Sequence, residues 1–247
     1  MYVLALGSPT FPIGAEGYLR WTSTFKIKTY YGTEYIHAGP LFIHQMSQIW
    51  IDMRGLRDNL NEKLGFDYFE NSHRATHIQQ QYAIENPKGF SQYGENCWGI
   101  TASNGPGPAE LEIAGKKVIF YDYIARGVPD DIDDGTISPW AVVTSLPFAP
   151  EITLPTIRHA IERLQLKNLK KVYGFDASFN PTFPERNTNT HGWVSPWRLG
   201  LNHGPIVLMI ENFQTRKIWD LFKNCSYVVT GLKRAGFKGG WLESAHS

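Results

Sequence analysis

Cysteine is scarce in this chain of 247 residues: Cys97 and Cys225 are the two it has. Two thiols exclude a disulfide framework and a cysteine-rich zinc site, and buried free thiols fit better than one bridge. No run approaches the roughly 18 consecutive apolar residues that a membrane span requires. Neither charge sign dominates, since 24 Lys and Arg face 23 Asp and Glu for a net charge of +1. That balance argues against nucleic acid and anionic membrane as partners. A Gly-x-Ser-x-Gly elbow, a phosphate loop and a dinucleotide fingerprint are all absent, so nothing implies a cofactor.

What is present is apolar and aromatic. A hydrophobic fraction of 42% supports a real core, and the chain holds 8 Trp, 12 Tyr and 14 Phe. With 247 residues, one large domain or two small ones would fit. The stretch from Phe90 to Ser103 sets Glu95, Asn96, Cys97 and Trp98 between Gly94 and Gly99, with Tyr93 just before them. Glycines there let the backbone adopt unusual angles and let a ligand approach closely. A carboxylate flanked by Tyr93 and Trp98 suits a sugar ring, which needs flat surfaces and an acid. A plain turn, with Glu95 serving backbone amides, is the alternative.

Periodicity predicts a mainly helical chain. Phe42, Met46, Ile49, Met53, Leu56, Leu60 and Leu64 recur at helical spacing, so one helix is expected from Pro40 to Gly65. Asp67 with Glu70 forms a capping box that opens a second helix, ending before Pro87. Ser138-Pro139 opens a third through Leu146, Pro155 a fourth to Leu166, and Gly204-Pro205 a fifth to Asn224; a last one covers 226–235. Small hairpins are expected across 24–36 and around Gly115. Long loops rich in glycine and aromatics join these elements, and such loops are usually functional. Met1–Leu6 reads as the end of a helix whose start is absent, with Gly7-Ser8-Pro9 stopping it. The chain is therefore expected to be the C-terminal portion of something larger.

The candidate acids lie in those loops or at helix mouths: Glu95, Asp130, Asp131, Asp133, Asp134, Asp176 and Glu211. Glycoside hydrolysis needs a pair of carboxyl groups, one protonated and one not. The acidic loop fails the EF-hand calcium template, because Ile132 and Ala141 stand at positions 3 and 12 of a loop begun at Asp130. His73 and His77 have the i, i+4 spacing of zinc ligands. Arg74 stands where a zinc protease has its Glu and no third ligand is visible, so no metal is expected. Cys97 is a poor nucleophile, with Glu95 two residues away.

Six segments in order resemble one known family. They are Ala5–Thr10, Tyr93–Gly99, Ala125–Asp131, Ser145–Pro150, Tyr173–Asn180 and Gly204–Asn212, spanning nearly the whole chain. The sequence is similar to the glycoamylase-like domain, whose relatives include bacterial endo-β-1,2-glucanases and a domain of cyclic β-1,2-glucan synthases. The resemblance implies that residues 1–247 are a single domain, part of an α/α six-hairpin toroid, its N-terminal helices missing, with a small β-hairpin insertion. It implies a glycoside hydrolase of β-glucans, β-1,2-glucan or related glucooligosaccharides foremost, by inverting or related carboxylate acid/base chemistry.

Carried onto this chain, the resemblance makes Glu95, Asp130, Asp131, Asp176 and Glu211 the catalytic candidates. Tyr93, Trp98, Arg126, His37, Trp193, Trp197 and Asn202 become the substrate contacts. The implied partners are an oligo- or polysaccharide and the missing half of the toroid, in a periplasmic or extracellular bacterial setting. One departure matters: relatives commonly read Gly-Ile-Asp-Gln-Gly-Pro where this chain has Gly200-Leu201-Asn202-His203-Gly204-Pro205. An amide cannot act as a carboxylate. Two alternatives therefore stand beside hydrolysis, a non-catalytic saccharide-binding module and a transglycosylating domain.

Overall fold

The computed structural model describes residues 1–164, 174–184 and 192–244. The chain opens with two short helices, α1 (Tyr2–Leu6) and α2 (Glu16–Thr22). A hairpin of β1 (Lys26–Tyr30) and β2 (Thr33–His37) follows, close to the expected span. Its turn residues Tyr31 and Gly32 both have positive φ, 52° and 76°, as a type I′ connection requires. Lys28, Tyr30, Tyr35 and His37 alternate onto one face of this ribbon.

The helix expected over 40–65 is instead two short ones. Phe42–Gln45 forms α3 and Asn59–Leu64 forms α4. The chain between them breaks at Gly55, whose φ is +73°, and restarts at Asp58, which caps α4 through the amides of Leu60 and Asn61. The apolar stripe is real, but its members go to separate cores. Phe42 and Met46 pack on the cluster around Trp98, Ile49 joins Phe148 and Trp219, and Met53 and Leu56 join Leu6 and Val228. The stop at Gly65 is as expected, in a left-handed cap at φ 77°.

Asp67 caps α5 (Tyr68–Glu85) by accepting from the Glu70 amide at 2.8 Å. The Glu70 carboxylate pairs with Arg74 at 2.8 Å instead of completing the capping box. Next come β3 (Ala102–Ser103), β4 (Ala109–Ile113), β5 (Lys116–Phe120) and β6 (Ile124–Ala125). β4 pairs with β5 through the expected turn at Ala114-Gly115, and β3 pairs with β6. The helices that follow are α6 (Pro139–Thr144) and α7 (Pro150–Glu162). Pro150, not Pro155, opens α7, with Pro155 inside it; the predicted end at Leu166 lies outside the described residues.

β7 (Phe179–Asn180) pairs with β8 (Trp193–Val194) ahead of α8 (Gly200–Thr215). Pro205 sits within α8, and the helix expected to reach Asn224 stops at Arg216, which takes a left-handed φ of 60° before α9 (Lys217–Lys223). The last helix, α10 (Ser226–Ala235), lies where expected. The described chain is thus mainly helical, with four two-stranded antiparallel sheets. Among the described residues no helix is long and apolar enough to cross a membrane.

α1 packs on α10 almost backbone to backbone. A Cβ at Gly231 would lie 1.8 Å from the Val3 carbonyl oxygen, and one at Gly7 would lie 1.8 Å from that of Tyr227. No side chain fits there, so Gly231→Ala must push the helices apart. The expected cost is about 1–3 kcal/mol, read as a lower Tm by scanning calorimetry. An unchanged Tm would contradict the crossing described.

Candidate functional site

Four loops meet around the acidic segment 128–136, and buried carboxylates hold them there. Asp134 and Arg126 are both 0% exposed and pair through Nε–Oδ1 at 2.7 Å and Nη2–Oδ2 at 2.8 Å. Arg126 also donates to the carbonyls of Ser103, Tyr121 and Asp122. Asp134 accepts in addition from the amides of Tyr121 and Thr136. Arg126 holds the Asp134 carboxyl below the usual carboxylate range despite its burial. One residue earlier, Asp133 accepts from Tyr93 Oη at 2.7 Å, from Tyr82 Oη at 3.0 Å and from the Gly135 amide. Burial outweighs those bonds and raises its pKa.

These contacts bind three further segments to the acidic loop. Tyr93 brings in the 90–99 stretch. Asn180 Nδ2 donates to the Asp134 carbonyl and to Thr136 Oγ1, and Ile137 bridges Phe179, bringing in 174–184. Segment 192–198 follows through Ser195 to Ser178 and through Ala177 to Trp197.

The outer half of the acidic loop faces the β1–β2 ribbon. Asp130 Oδ2 accepts from Lys28 Nζ at 2.6 Å and from Tyr30 Oη, and Lys28 lowers its pKa. The exposed Asp131 carboxylate lies against Gly39, where a Cβ would come within 1.9 Å of Oδ2. Only a glycine lets the β2 exit approach this closely. His37 is half-buried, hydrogen-bonds Tyr35 Oη through Nδ1 at 2.7 Å, and has its pKa lowered by desolvation first and by Lys28 second. Behind them His44 is buried, with Nε2 on the Ala38 carbonyl and Nδ1 on Asn71; burial takes its pKa down to about 4.

The expected site residues therefore divide. Asp130, Asp131 and His37 come together at the ribbon. Glu95 is exposed on its own loop, tied in through Gln80 to its carbonyl. Trp197 is 60% exposed and Trp193 is half-buried in β8.

Others are enclosed in the fold or already hydrogen-bonded. Trp98 is 0% exposed and donates its indole N–H to Thr156 Oγ1 at 2.9 Å. Tyr93 spends its hydroxyl on Asp133, and Arg126 is enclosed by its ion pair. Asn202 is buried in the first turn of α8. Asp176 is largely buried and paired with Arg198. Glu211 accepts from Thr215 Oγ1, one turn along its own helix. Lys28, Tyr30 and Tyr35 were missed, although β-alternation across 26–37 carried the signal.

Cys97 is buried, and burial pushes its thiol up to about 12, so it is no nucleophile. It borders a small pocket lined by Trp98, Val142, Thr156 and Phe175, among others, which is apolar and holds no carboxylate.

Comparison with known proteins gives the class first. Residues 1–226 match the family model described as "putative glucoamylase", and the chain belongs to that family. It is 32% identical over 210 residues to an exo β-1,2-glucooligosaccharide sophorohydrolase (non-reducing end) from Parabacteroides distasonis, covering 83% of this chain and 25% of that protein. It is similar to the crystal structure of a putative glucoamylase from Bacteroides uniformis: TM-score 0.80, 34% identity, 97% of this chain and 53% of that one. It is also similar to an endo-β-1,2-glucanase from Chitinophaga pinensis in complex with sophorotriose and glucose: TM-score 0.75, 28% identity, 96% of this chain and 53% of that one. The chain thus spans about half the length of these solved relatives and a quarter of the curated one.

Two outcomes follow from the buried polar groups. Removing one partner of the Arg126–Asp134 pair leaves an uncompensated charge, so Asp134→Ala should cost about 3–5 kcal/mol in a urea melt. The double change Arg126→Met, Asp134→Leu should cost less than the two single changes added together. Strict additivity would deny the pair its role. For pH, a histidine of depressed pKa is neutral when folded and protonates on unfolding. Stability should therefore fall as pH drops from about 6.5 to about 4, by about 3 kcal/mol in the limit. His44→Gln should flatten that slope in melts run across the window.

Proposed function

We propose that this chain contributes the acidic wall of a sugar site in a β-1,2-glucan-acting glycoside hydrolase. The observation that carries the reading is the split within one loop. Asp133 and Asp134 are locked inside, while Asp130 and Asp131 are held outward beside the rings of Tyr30, Tyr35 and His37. The names of the relatives support the substrate class, and the glycoamylase-like fold supports an α/α toroid in which paired helices surround a cleft.

In this reading Asp130, kept ionised by Lys28 and Tyr30, takes the carboxylate role of acceptor or base. Asp131 is the exposed carboxyl group beside it, and Glu95 is a further exposed acid, on the neighbouring 90–99 loop. Tyr30, His37, Trp193 and Trp197 supply the flat surfaces, and Asp176 with Arg198 braces the 174–184 segment.

The buried amide of Asn202, where relatives commonly carry an Asp, favours a second reading, a saccharide-binding module without turnover. Linear β-1,2-glucooligosaccharides distinguish the two in a reducing-end assay run beside calorimetry. New reducing ends are expected, with Asp131→Asn and Glu95→Gln each lowering turnover by a hundredfold or more at unchanged Tm. Binding without new ends would select the second reading. Wild-type turnover in a variant would remove that residue from the reaction.

A further inference from the structure

The i, i+4 histidine pair on α5 has a third neighbour that local spacing could not reveal. His73, His77 and Glu151 place one ligand atom each within 4.8 Å of one another. We propose that these three side chains form a binding site for a divalent transition-metal ion of the zinc class, clamping α5 to the first turn of α7.

The donor set fits that class. Two imidazole nitrogens and one carboxylate oxygen suit zinc and its neighbours, whereas magnesium and calcium prefer all-oxygen shells. Zinc bonds of about 2.0–2.2 Å in a tetrahedron require ligand atoms roughly 3.3 Å apart. His77 Nε2 and Glu151 Oε1 are already 3.0 Å apart, a hydrogen bond whose place the metal would take. The two imidazole rings sit 4.5 Å apart, centre to centre, so both present a nitrogen to the same place beside Glu151.

The tautomer of His73 is fixed as well. Its Nδ1 lies 2.8 Å from the Phe148 carbonyl, which only accepts, so in the neutral ring Nδ1 carries the hydrogen and Nε2 the lone pair. A backbone carbonyl holding the second ring nitrogen is the usual outer support of a metal-binding histidine. His73 and His77 are rigidly spaced because α5 runs unbroken for 18 residues. Glu151 is half-exposed, which leaves a fourth position open to water.

Calorimetric titration of the 247-residue chain with zinc chloride near neutral pH tests the site. One ion per chain is expected, with His77→Asn and Glu151→Gln each weakening binding by about tenfold or more while circular dichroism stays unchanged. Zinc should raise the Tm of the unaltered chain and leave that of His77→Asn where it was. Cobalt in place of zinc should give the ligand-field bands of a four-coordinate ion, lost in the same variants. No binding, equal affinity in all three proteins, or equal response to magnesium would each overturn the site.

Discussion

The ion pair between Arg126 and Asp134 is the contact on which the arrangement of loops depends. It lies wholly out of water, a setting in which an unpaired charge costs several kcal/mol. That cost makes the geometry all-or-none: Ser103, Tyr121 and Asp122 must present their carbonyls, and Tyr121 and Thr136 their amides, or the pair is not worth burying. Gly105 passes so close that a Cβ there would lie 2.1 Å from Arg126 Nη2. The β3–β6 strip, the Asn104–Pro108 turn and the acidic loop are therefore one unit. Asn180 then fastens 174–184 to the same unit through the Asp134 carbonyl.

With that frame in place, the outward half of the loop needs little further support. Residues 130 and 131 are delivered to the surface because 133 and 134 are committed inward and Gly127 lets the chain pass Gly39 in backbone contact. The β1–β2 ribbon supplies the opposing face. Lys28 and Tyr30 reach across to Asp130, so the ribbon and the loop position one another by charge as well as by packing. The buried pairing of His44 with Asn71, and of Asn71 with Ile36, fixes the ribbon to α5 beneath.

Legibility in the sequence followed the range of the interaction. The turn at Ala114-Gly115, the Gly65 cap and the Asp67 cap depend on neighbouring residues, and each lies where the pattern placed it; the first hairpin lies close to its expected span of 24–36. The helix expected over 40–65 failed because a helical period says only that residues are buried, not that they share a core. Met53 and Leu56 join a different cluster from Phe42, which requires the chain to turn at Gly55. Trp98 failed for a similar reason. Enclosing a tryptophan removes about 200 Å² from water, worth about 5 kcal/mol as an upper estimate. A bracketing Gly99 and a neighbouring Glu95 do not outweigh that. Segment order still marked the family, since six short matches need no knowledge of which residues face inward.

Hydrogen-bonding capacity separates the acids that build from those with room to act. A carboxylate offers about four lone-pair positions. Asp134 fills them with Arg126 Nε, Arg126 Nη2 and the amides of Tyr121 and Thr136. Asp133 gives three to Tyr93, Tyr82 and Gly135 while lying in a dry setting. Asp134 has no position left for a sugar hydroxyl, and the one left on Asp133 is buried. Asp130 differs in kind, since Lys28 and Tyr30 both bind Oδ2, which orients the group and keeps it charged while Oδ1 remains the free end of a half-exposed side chain. An acid oriented by two donors on one oxygen and open on the other is what a substrate hydroxyl or an attacking water requires of a surface carboxylate. The sequence places four aspartates within five residues; lone-pair accounting assigns Asp133 and Asp134 to the frame and leaves Asp130 and Asp131 outside it.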